Sequence, residues 1–510
     1  MIQTVAIGWL MTQISTSDVT VALVQATSTL PAFILSVVAG VIADNFSRRI
    51  VMIIGRSLVV TGSAALSAFI AFGFVDPCII LGISFLIGCG FALNDPAWQA
   101  SVGDLVDRHN LPAAVTLINI GFNTVRSVGP ALGGFIVAAF GAPIALVLSA
   151  ISYMVPLAAV LRTRWTVQGS PLPRQPVAAA IYDGARFTLI SSEIIAAITR
   201  GTLLGITGIA ILALLPLIVR DHLNGGAIVY GMLMGGFGIG ALLGGVAANR
   251  IRRLVSLEWL IRLSCLACAA CSFTLTYSPS PLLSIAALAL GGVGWVNAWS
   301  GLGVSVQLAS PRWIVGRTIS IYYAFTYGGI ALGSWMWGLV VQHFSLDLAF
   351  QVSAGSLILV ACVGFVLPLT DDKASDHDPV EDFEVPTLAL DLGPKSGPII
   401  VKIDYLVPLG STNSFLIMMR ERRLAQSQVG ARHWTVERDL LEPSRWTETF
   451  RTPTWTDYLR LNSRLTAAHK ELDRRLRELH VGAEPPRARL SIEQSKRRRR
   501  ESEGVHPLLT

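Results

Sequence analysis

"GVIADNFSRRIV", residues Gly40 to Val51, sets one carboxylate and two guanidinium groups between long apolar runs. Charge is scarce on both flanks, so its concentration here marks a boundary. Residues 21–43 before it and 50–74 after it are each long enough to cross a membrane, since a helix spanning the hydrocarbon core takes about 20 apolar residues. The stretch therefore reads as a short loop between two spans. Gly40 lets a neighbouring helix approach closely. Asp44 falls at the membrane boundary, where a carboxylate caps a helix N-terminus or pairs with an arginine. Arg48 and Arg49 then face the aqueous side and anionic lipid.

The rest of the chain extends this reading. Its 510 residues are 52% hydrophobic and 14% charged, with a mean hydropathy of +0.57, far from the composition of a soluble domain. The first lysine is Lys373; up to residue 370 stand seventeen arginines and eleven acidic residues. The chain is thus a long membrane block followed by a polar tail. Its net charge of +7 arises mostly from arginines beside spans, which selects lipid headgroups and small solutes as partners, not nucleic acid. All six cysteines lie in apolar segments, so no disulfide framework is implied. Cys265, Cys268 and Cys271 are spaced C-x2-C-x2-C but have no fourth soft ligand near them, and they read as small packing residues, not a metal site. No cofactor is expected, and the absence of a G-x-x-x-x-G-K-[ST] pattern disfavours direct use of ATP.

Apolar runs also occur near 78–101, 113–139, 142–161, 197–219, 227–248, 256–276, 281–306, 317–342 and 347–369, which with the first two makes eleven complete spans plus a stub at 1–14. Twelve is the expected number, the stub being explained by a late start or a truncation. Placing Arg48 and Arg49 in the cytoplasm puts Arg108, Arg162, Arg164, Arg174, Arg250, Arg252, Arg253 and Arg312 on that side too, and leaves only Arg220 among the short loops opposite. This is the positive-inside pattern, with both chain ends cytoplasmic. "GVAANRIRRLV" at Gly245–Val255 echoes the opening stretch, and "GIALGS" at Gly329–Ser334 echoes "GPALGG" at Gly129–Gly134, at nearly the same offset. The spacing predicts two similar six-helix halves, the plan of a transporter that rocks about a central site. The expected domains are an N-terminal half at 1–161, a central cytoplasmic loop at 162–196, a C-terminal half at 197–370, an acidic linker at 371–394, a folded tail domain at 395–495 and a basic tail at 496–510.

The Gly40–Arg49 stretch resembles the signature loop between helices 2 and 3 of the major facilitator superfamily. Ser47 and Asn45 replace a glycine and an arginine usual there. The resemblance implies that Gly40, Asp44, Arg48 and Arg49 form a conformational latch between the halves. "SVGPALGG" is similar to the end of the motif that marks antiporters, through Gly129, Pro130, Gly133 and Gly134. With "FALNDPAWQASVGDLV" and the tail, the pattern resembles the subgroup of enterobactin-exporter-like proteins and transmembrane secretion effectors. That resemblance implies a multi-pass protein of the bacterial inner membrane, not an enzyme, which exports a small amphiphilic solute, siderophore or drug-like, by proton antiport with alternating access. Two alternatives stand beside it: a solute:proton symporter for uptake, and a membrane-tethered ligand-sensing or monooxygenase-like protein.

Ionisable groups at membrane depth cost about 2.5–3.5 kcal/mol each on insertion scales and need a reason. Asp95 and Arg126 are the expected substrate and proton pathway, with Asn94 and Asn123 adding hydrogen bonds. Arg56 and Arg262 lie close enough to the cytoplasmic face to snorkel. Trp295, Trp299, Tyr322, Tyr323, Tyr327, Trp335 and Trp337 form an aromatic-rich set that suits a bulky aromatic solute or simple helix packing. In the tail, alternating and helical patterns follow the order β-α-β-β-α-β, which predicts a ferredoxin-like α+β domain. It resembles the small antibiotic-biosynthesis-monooxygenase type of domain, which implies a possible homodimer; His433, Trp434 and Trp446 are its candidate pocket residues. "KRRRR" at 496–500 attracts the inner-leaflet surface.

Overall fold

The computed structural model describes residues 2–45, 47–105, 111–163, 177–311, 313–369, 386 and 388–493. The loop residues Arg108, Arg164, Arg174 and Arg312, most of the acidic linker and the basic tail lie outside them. The chain divides into two compact units, Met1–Ala309 with Val315–Asp371, and Ser310–Ile314 with Asp372–Thr510.

The described elements of the first unit are all helical. Its elements are α1 (Ile2–Ile14), α2 (Asp18–Asn45), α3 (Arg48–Ala71), α4 (Pro77–Leu105), α5 (Leu111–Arg162), α6 (Val177–Ile190), α7 (Ser192–Gly208), the short turns α8 (Ala210–Ala213) and α9 (Leu215–Leu217), α10 (Ala227–Leu254), α11 (Leu257–Tyr277), α12 (Pro281–Leu308), α13 (Val315–His343) and α14 (Leu346–Val366). A π-helical turn, Ile218–His222, closes the α7–α9 run. Ten helices among the described residues are long and apolar enough to cross a membrane. The number falls below twelve because α1 has only 13 residues and because α5 is continuous across a bend at Gly141, where φ is +83°. A positive φ at that point suits glycine and breaks the helical path between the runs read at 113–139 and 142–161.

Helices prevail because a backbone in hydrocarbon must satisfy its N–H and C=O groups internally. The apolar side chains left uncovered have a matching explanation. Phe135, Val147, Ile151 and Val155 on α5, and Leu359 and Val366 on α14, are exposed, as lipid-facing residues of a bundle are. Inside the bundle, contact rests on small residues: α3 and α4 cross at Gly55 and Gly90, and α10 and α12 at Gly240 and Gly292, where a methyl group would strike the facing backbone. Without a hydrophobic driving force between helices in lipid, such close approach supplies the attraction. The two copies of the repeated loop are built differently. Arg48 and Arg49 open α3, whereas Arg252 and Arg253 lie in the last turn of α10.

The second unit contains a four-stranded antiparallel sheet in the order β2-β3-β1-β4. Its elements run β1 (Ile399–Leu406), α15 (Thr412–Val429), β2 (Arg432–Arg438), β3 (Arg445–Thr452), α16 (Trp455–Ser463), α17 (Ala467–Glu478) and β4 (Ala488–Ile492). Alternation along β1 and β3 sends Val401, Ile403, Tyr405, Trp446 and Phe450 into a core shared with Phe415, Leu472 and Leu476 of the helices. One acid is buried there. Glu448 accepts hydrogen bonds from Arg422 Nε at 2.6 Å, Trp434 Nε1 at 2.8 Å and the Tyr405 hydroxyl at 3.1 Å, the satisfaction a buried carboxylate requires. Burial pushes the Tyr405 hydroxyl well above the usual phenol range, which keeps it a donor. His433, Trp434 and Trp446 do not converge as pocket residues: His433 is exposed at a strand irregularity with φ of +50°, Trp434 serves Glu448, and Trp446 belongs to the core.

Candidate functional site

Helices α1–α5 and α7–α14 meet through named contacts near residues 15–18, 134, 220–231 and 338–342. Arg220 Nη2 donates to Asp18 Oδ1 at 2.9 Å and Arg220 Nε to Asp221 Oδ1 at 2.6 Å. Beside them Ser17 Oγ donates to Gln342 Oε1 at 3.3 Å. The Trp9 and Tyr230 rings lie near-parallel with centroids 6.1 Å apart, and a methyl on Gly338 would sit 2.9 Å from Val19 Cα. Gly134 of α5 faces Gly231 of α10 so closely that a Cβ on either would overlap the other's Cα. This end of the bundle therefore combines a tight glycine crossing with a partly exposed ion pair, which contributes about 0.2–1 kcal/mol. That is firm enough to favour the contact and weak enough to release it.

The antiporter-like segment is part of this crossing. Gly129 and Pro130 are buried. A methyl on Gly133 would lie 3.0 Å from Ile2 Cα within the N-terminal half, while Gly134 packs across to the other half.

Arg49 has its partners within its own half. Its Nη2 donates to the Leu161 carbonyl at 2.8 Å and its Nε to the Val160 carbonyl at 3.3 Å, carbonyls left unpaired where α5 ends. It thus fastens α3 to the end of α5 and does not face lipid alone. Gly40 and Asp44 lie on α2, but what surrounds them is outside the described part, so the expected latch is represented here by Arg48, at the start of α3, and Arg49.

Deeper in the same half, Asn94 Nδ2 donates to Asp95 Oδ1 at 3.1 Å. Asn94 is buried and its Oδ1 has no partner among the described residues. Among the described residues, Arg56 is a cation within electrostatic reach of Asp95, carried to α4 by the Gly55–Gly90 crossing. Arg56 lies 6.0 Å from the Trp98 ring centroid and keeps a buried Nε without a hydrogen bond among the described residues. Arg56 is therefore more than a membrane-surface anchor. The Asn123 and Arg126 side chains lie outside the described residues.

A second charged cluster was missed in the sequence. Arg200 Nη1 donates to Glu258 Oε2 at 2.5 Å and Arg262 Nε to Glu258 Oε1 at 2.5 Å. Arg262 Nη2 also reaches the Gly364 carbonyl at 2.8 Å, and the Leu369 amide donates to Glu258 Oε2 at 3.0 Å. Arg262 lies 3.8 Å over the Phe365 ring. Arg200 is 1% exposed. The cluster ties α7, α11 and α14 together at one end of the C-terminal half, as Arg49 ties α3 to α5. Arg262 is consequently not a snorkelling residue. The spacing of Glu258 and Arg262, one helical turn apart, was the available signal.

The fold and these features define a major facilitator transporter, and comparison with known proteins agrees. The family model described as transmembrane secretion effector matches residues 1–499. The chain belongs to this family of the major facilitator superfamily, whose members are transporters and not enzymes. It is 22% identical over 369 residues to the staphyloferrin A transporter of Staphylococcus aureus, covering 71% of this chain and 91% of that protein. It is 26% identical over 322 residues to the enterobactin exporter EntS of Escherichia coli, covering 60% of this chain and 73% of the exporter. Among solved structures, a D-xylose-proton symporter superposes with a TM-score of 0.57 at 14% identity, over 73% of this chain and 97% of that one; this likeness concerns the fold alone.

Proposed function

We propose that the chain is a proton-driven exporter of a small amphiphilic solute, siderophore or drug-like, working by alternating access in a bacterial inner membrane. The carrying observation is Asp95, a carboxylate at membrane depth that, among the described residues, has the donor Asn94 and the cation Arg56 in reach. A group of this kind takes up a proton when its cation is drawn elsewhere and releases it when the cation returns. Asn123 and Arg126, on the neighbouring α5, complete the pathway in this reading. The relatives named as siderophore carriers support the solute class and the direction.

The halves, 1–161 and 197–370, move as bodies stiffened by Arg49 and by the Arg200–Glu258–Arg262 cluster. The Asp18–Arg220 end closes the outer face, and Gly40, Asp44, Arg48 and Arg49 latch the inner face in the opposite state. Loop 162–196, the linker 371–394 and the C-terminal region then lie in the cytoplasm, with a tail domain at 395–495. The strand order β2-β3-β1-β4 supports a ferredoxin-like assignment for that domain.

Inverted vesicles test the coupling. Acidifying their interior should drive accumulation of exported solute, and dissipating the gradient should stop it. Asp95→Asn should abolish gradient-driven accumulation while leaving solute binding; accumulation at the native rate in that variant removes Asp95 from the mechanism. The outer closure has its own test. Arg220→Gln should shift the population away from the closed outer end by roughly 1.5–5-fold, read as increased thiol labelling of a cysteine at position 17, and the exchange Asp18→Arg with Arg220→Asp should reverse it.

A further inference from the structure

Four sides of α13 have different surroundings. Gly329 and Gly333 pack on Thr202 and Ile206 of α7, and Trp337 Nε1 donates to the Ile206 carbonyl at 2.7 Å. Gly328 and Gly338 pack on Phe33, Val19 and Ala22 of α2. Phe325 and Leu332 are exposed and apolar, as a lipid-facing side is. At about 100° per residue, Tyr323 and Tyr327 fall on the remaining flank, between the α7 and α2 sides and opposite Phe325 and Leu332. That flank faces the space between the two halves.

Trp299 of α12 meets it there. The Trp299 and Tyr323 rings are near-parallel with centroids 6.4 Å apart and 22° between planes. Trp295 continues the series on Trp299 at 5.9 Å and 15°. Tyr327 is tilted against both Trp299 and Tyr323, at 5.7 and 5.9 Å. The buried Tyr322 supports the group from behind, and it has room because Gly201 of α7 carries no side chain; a methyl there would lie 2.9 Å from the Tyr322 ring. Trp299, Tyr323 and Tyr327 are each only partly buried; the Tyr323 carbonyl accepts from Thr326 Oγ1 at 3.2 Å, while its hydroxyl makes no hydrogen bond with any described residue. Trp335 and Trp337 stand apart, one exposed and one packed on α7.

Helix packing alone does not require a run of near-parallel rings whose last member, Tyr323, is left partly uncovered, with a hydroxyl unengaged among the described residues. A flat aromatic ligand would extend the run. The faces of tyrosine and tryptophan rings are electron-rich, so they favour a ring that is positively charged. We infer that Trp299, Tyr323 and Tyr327 form a stacking platform in the solute path that selects flat aromatic cations over non-planar cations of equal charge. The assignment rests on the transporter reading, in that the platform lies between the moving halves.

The test uses the full chain in lipid nanodiscs and two monovalent probes, ethidium, which is flat and aromatic, and tetrabutylammonium, which is neither. Equilibrium binding should favour ethidium by at least about tenfold. Trp299→Ala and Tyr323→Ala should each weaken ethidium by about tenfold and leave tetrabutylammonium unchanged. Trp299→Phe and Tyr323→Phe, which keep a ring, should stay within about threefold of the native protein and guard against misfolding as the cause. Equal losses for both probes, an unchanged ethidium affinity in the alanine variants, or no ethidium binding by the native protein would each overturn the platform. Binding without gradient-driven transport in vesicles would leave it standing and overturn the exporter reading instead.

Discussion

Replacing Glu258 with alanine is expected to destabilise the membrane unit by about 3–5 kcal/mol, because it leaves two buried guanidinium groups with no counter-charge. Arg200 is 1% exposed and Arg262 8%, so water cannot rehydrate either without opening the junction of α7, α11 and α14. The purified variant should show a lower thermal midpoint and a smaller monodisperse fraction on size exclusion. Two companions sharpen the expectation. Gly364→Ala places a methyl against Glu258 Oε1 and within 2.9 Å of Arg262 Nε, so it should reproduce the defect without removing a charge. Replacing Arg200, Glu258 and Arg262 together by methionine or leucine should be milder than the single change, since no unpaired charge then remains. A Glu258→Ala protein that melts like the native one would mean that the cluster holds nothing together.

The second large effect is expected at the glycine crossing. Gly134→Ala puts a methyl into the space held by Gly231 Cα, and α5 and α10 must move apart to admit it. Overpacking of this kind costs about 1–3 kcal/mol. In the alternating-access reading proposed above, the cost falls on the conformation in which the two halves touch, so it should change an equilibrium more than it changes folding. The closed outer end should lose roughly 5–150-fold in relative population, and transport should fall with it. Gly231→Ala should act alike, and the two together should be less than additive because they share one gap. Gly133→Ala, which presses on Ile2 within the same half, should lower stability with little change in the conformational ratio. Thiol accessibility at the outer end, compared among these variants, separates the two; equal ratios for Gly134→Ala and Gly133→Ala would remove Gly134 from the closure.

Much of the architecture was legible in the chain because a bilayer penalises every exposed polar backbone group and leaves helix as the remaining local choice. The break between the apolar runs at 139 and 142 coincides with the Gly141 bend, and the run read at 347–369 with α14. The repeat of "GVIADNFSRRIV" was legible as well, yet its two copies open one helix and close another. A matching string leaves the helix boundary to local capping. Ser256 caps α11 by accepting from the Trp259 amide, whereas Ser47 provides no such bond to α3.

The charged residues were harder to place. Arg220 stood out as the odd arginine in the orientation count, but nothing in its neighbourhood names Asp18, 202 positions away. Arg56 and Arg262 looked alike as arginines near a membrane surface. One turned out to lie within electrostatic reach of Asp95 and the other to complete a buried triad, a difference that rests on how each helix packs against distant neighbours.

The amino-acid order by itself determined which segments are apolar enough to lie in a membrane and which of the stretches between them carry the arginines. These follow from hydropathy and length, quantities summed along one segment. Only the tertiary structure decided which charges pair, which glycines touch across the halves and which aromatic rings align, because each of those depends on the rotation and crossing of two helices distant in sequence, to within a few tenths of an ångström.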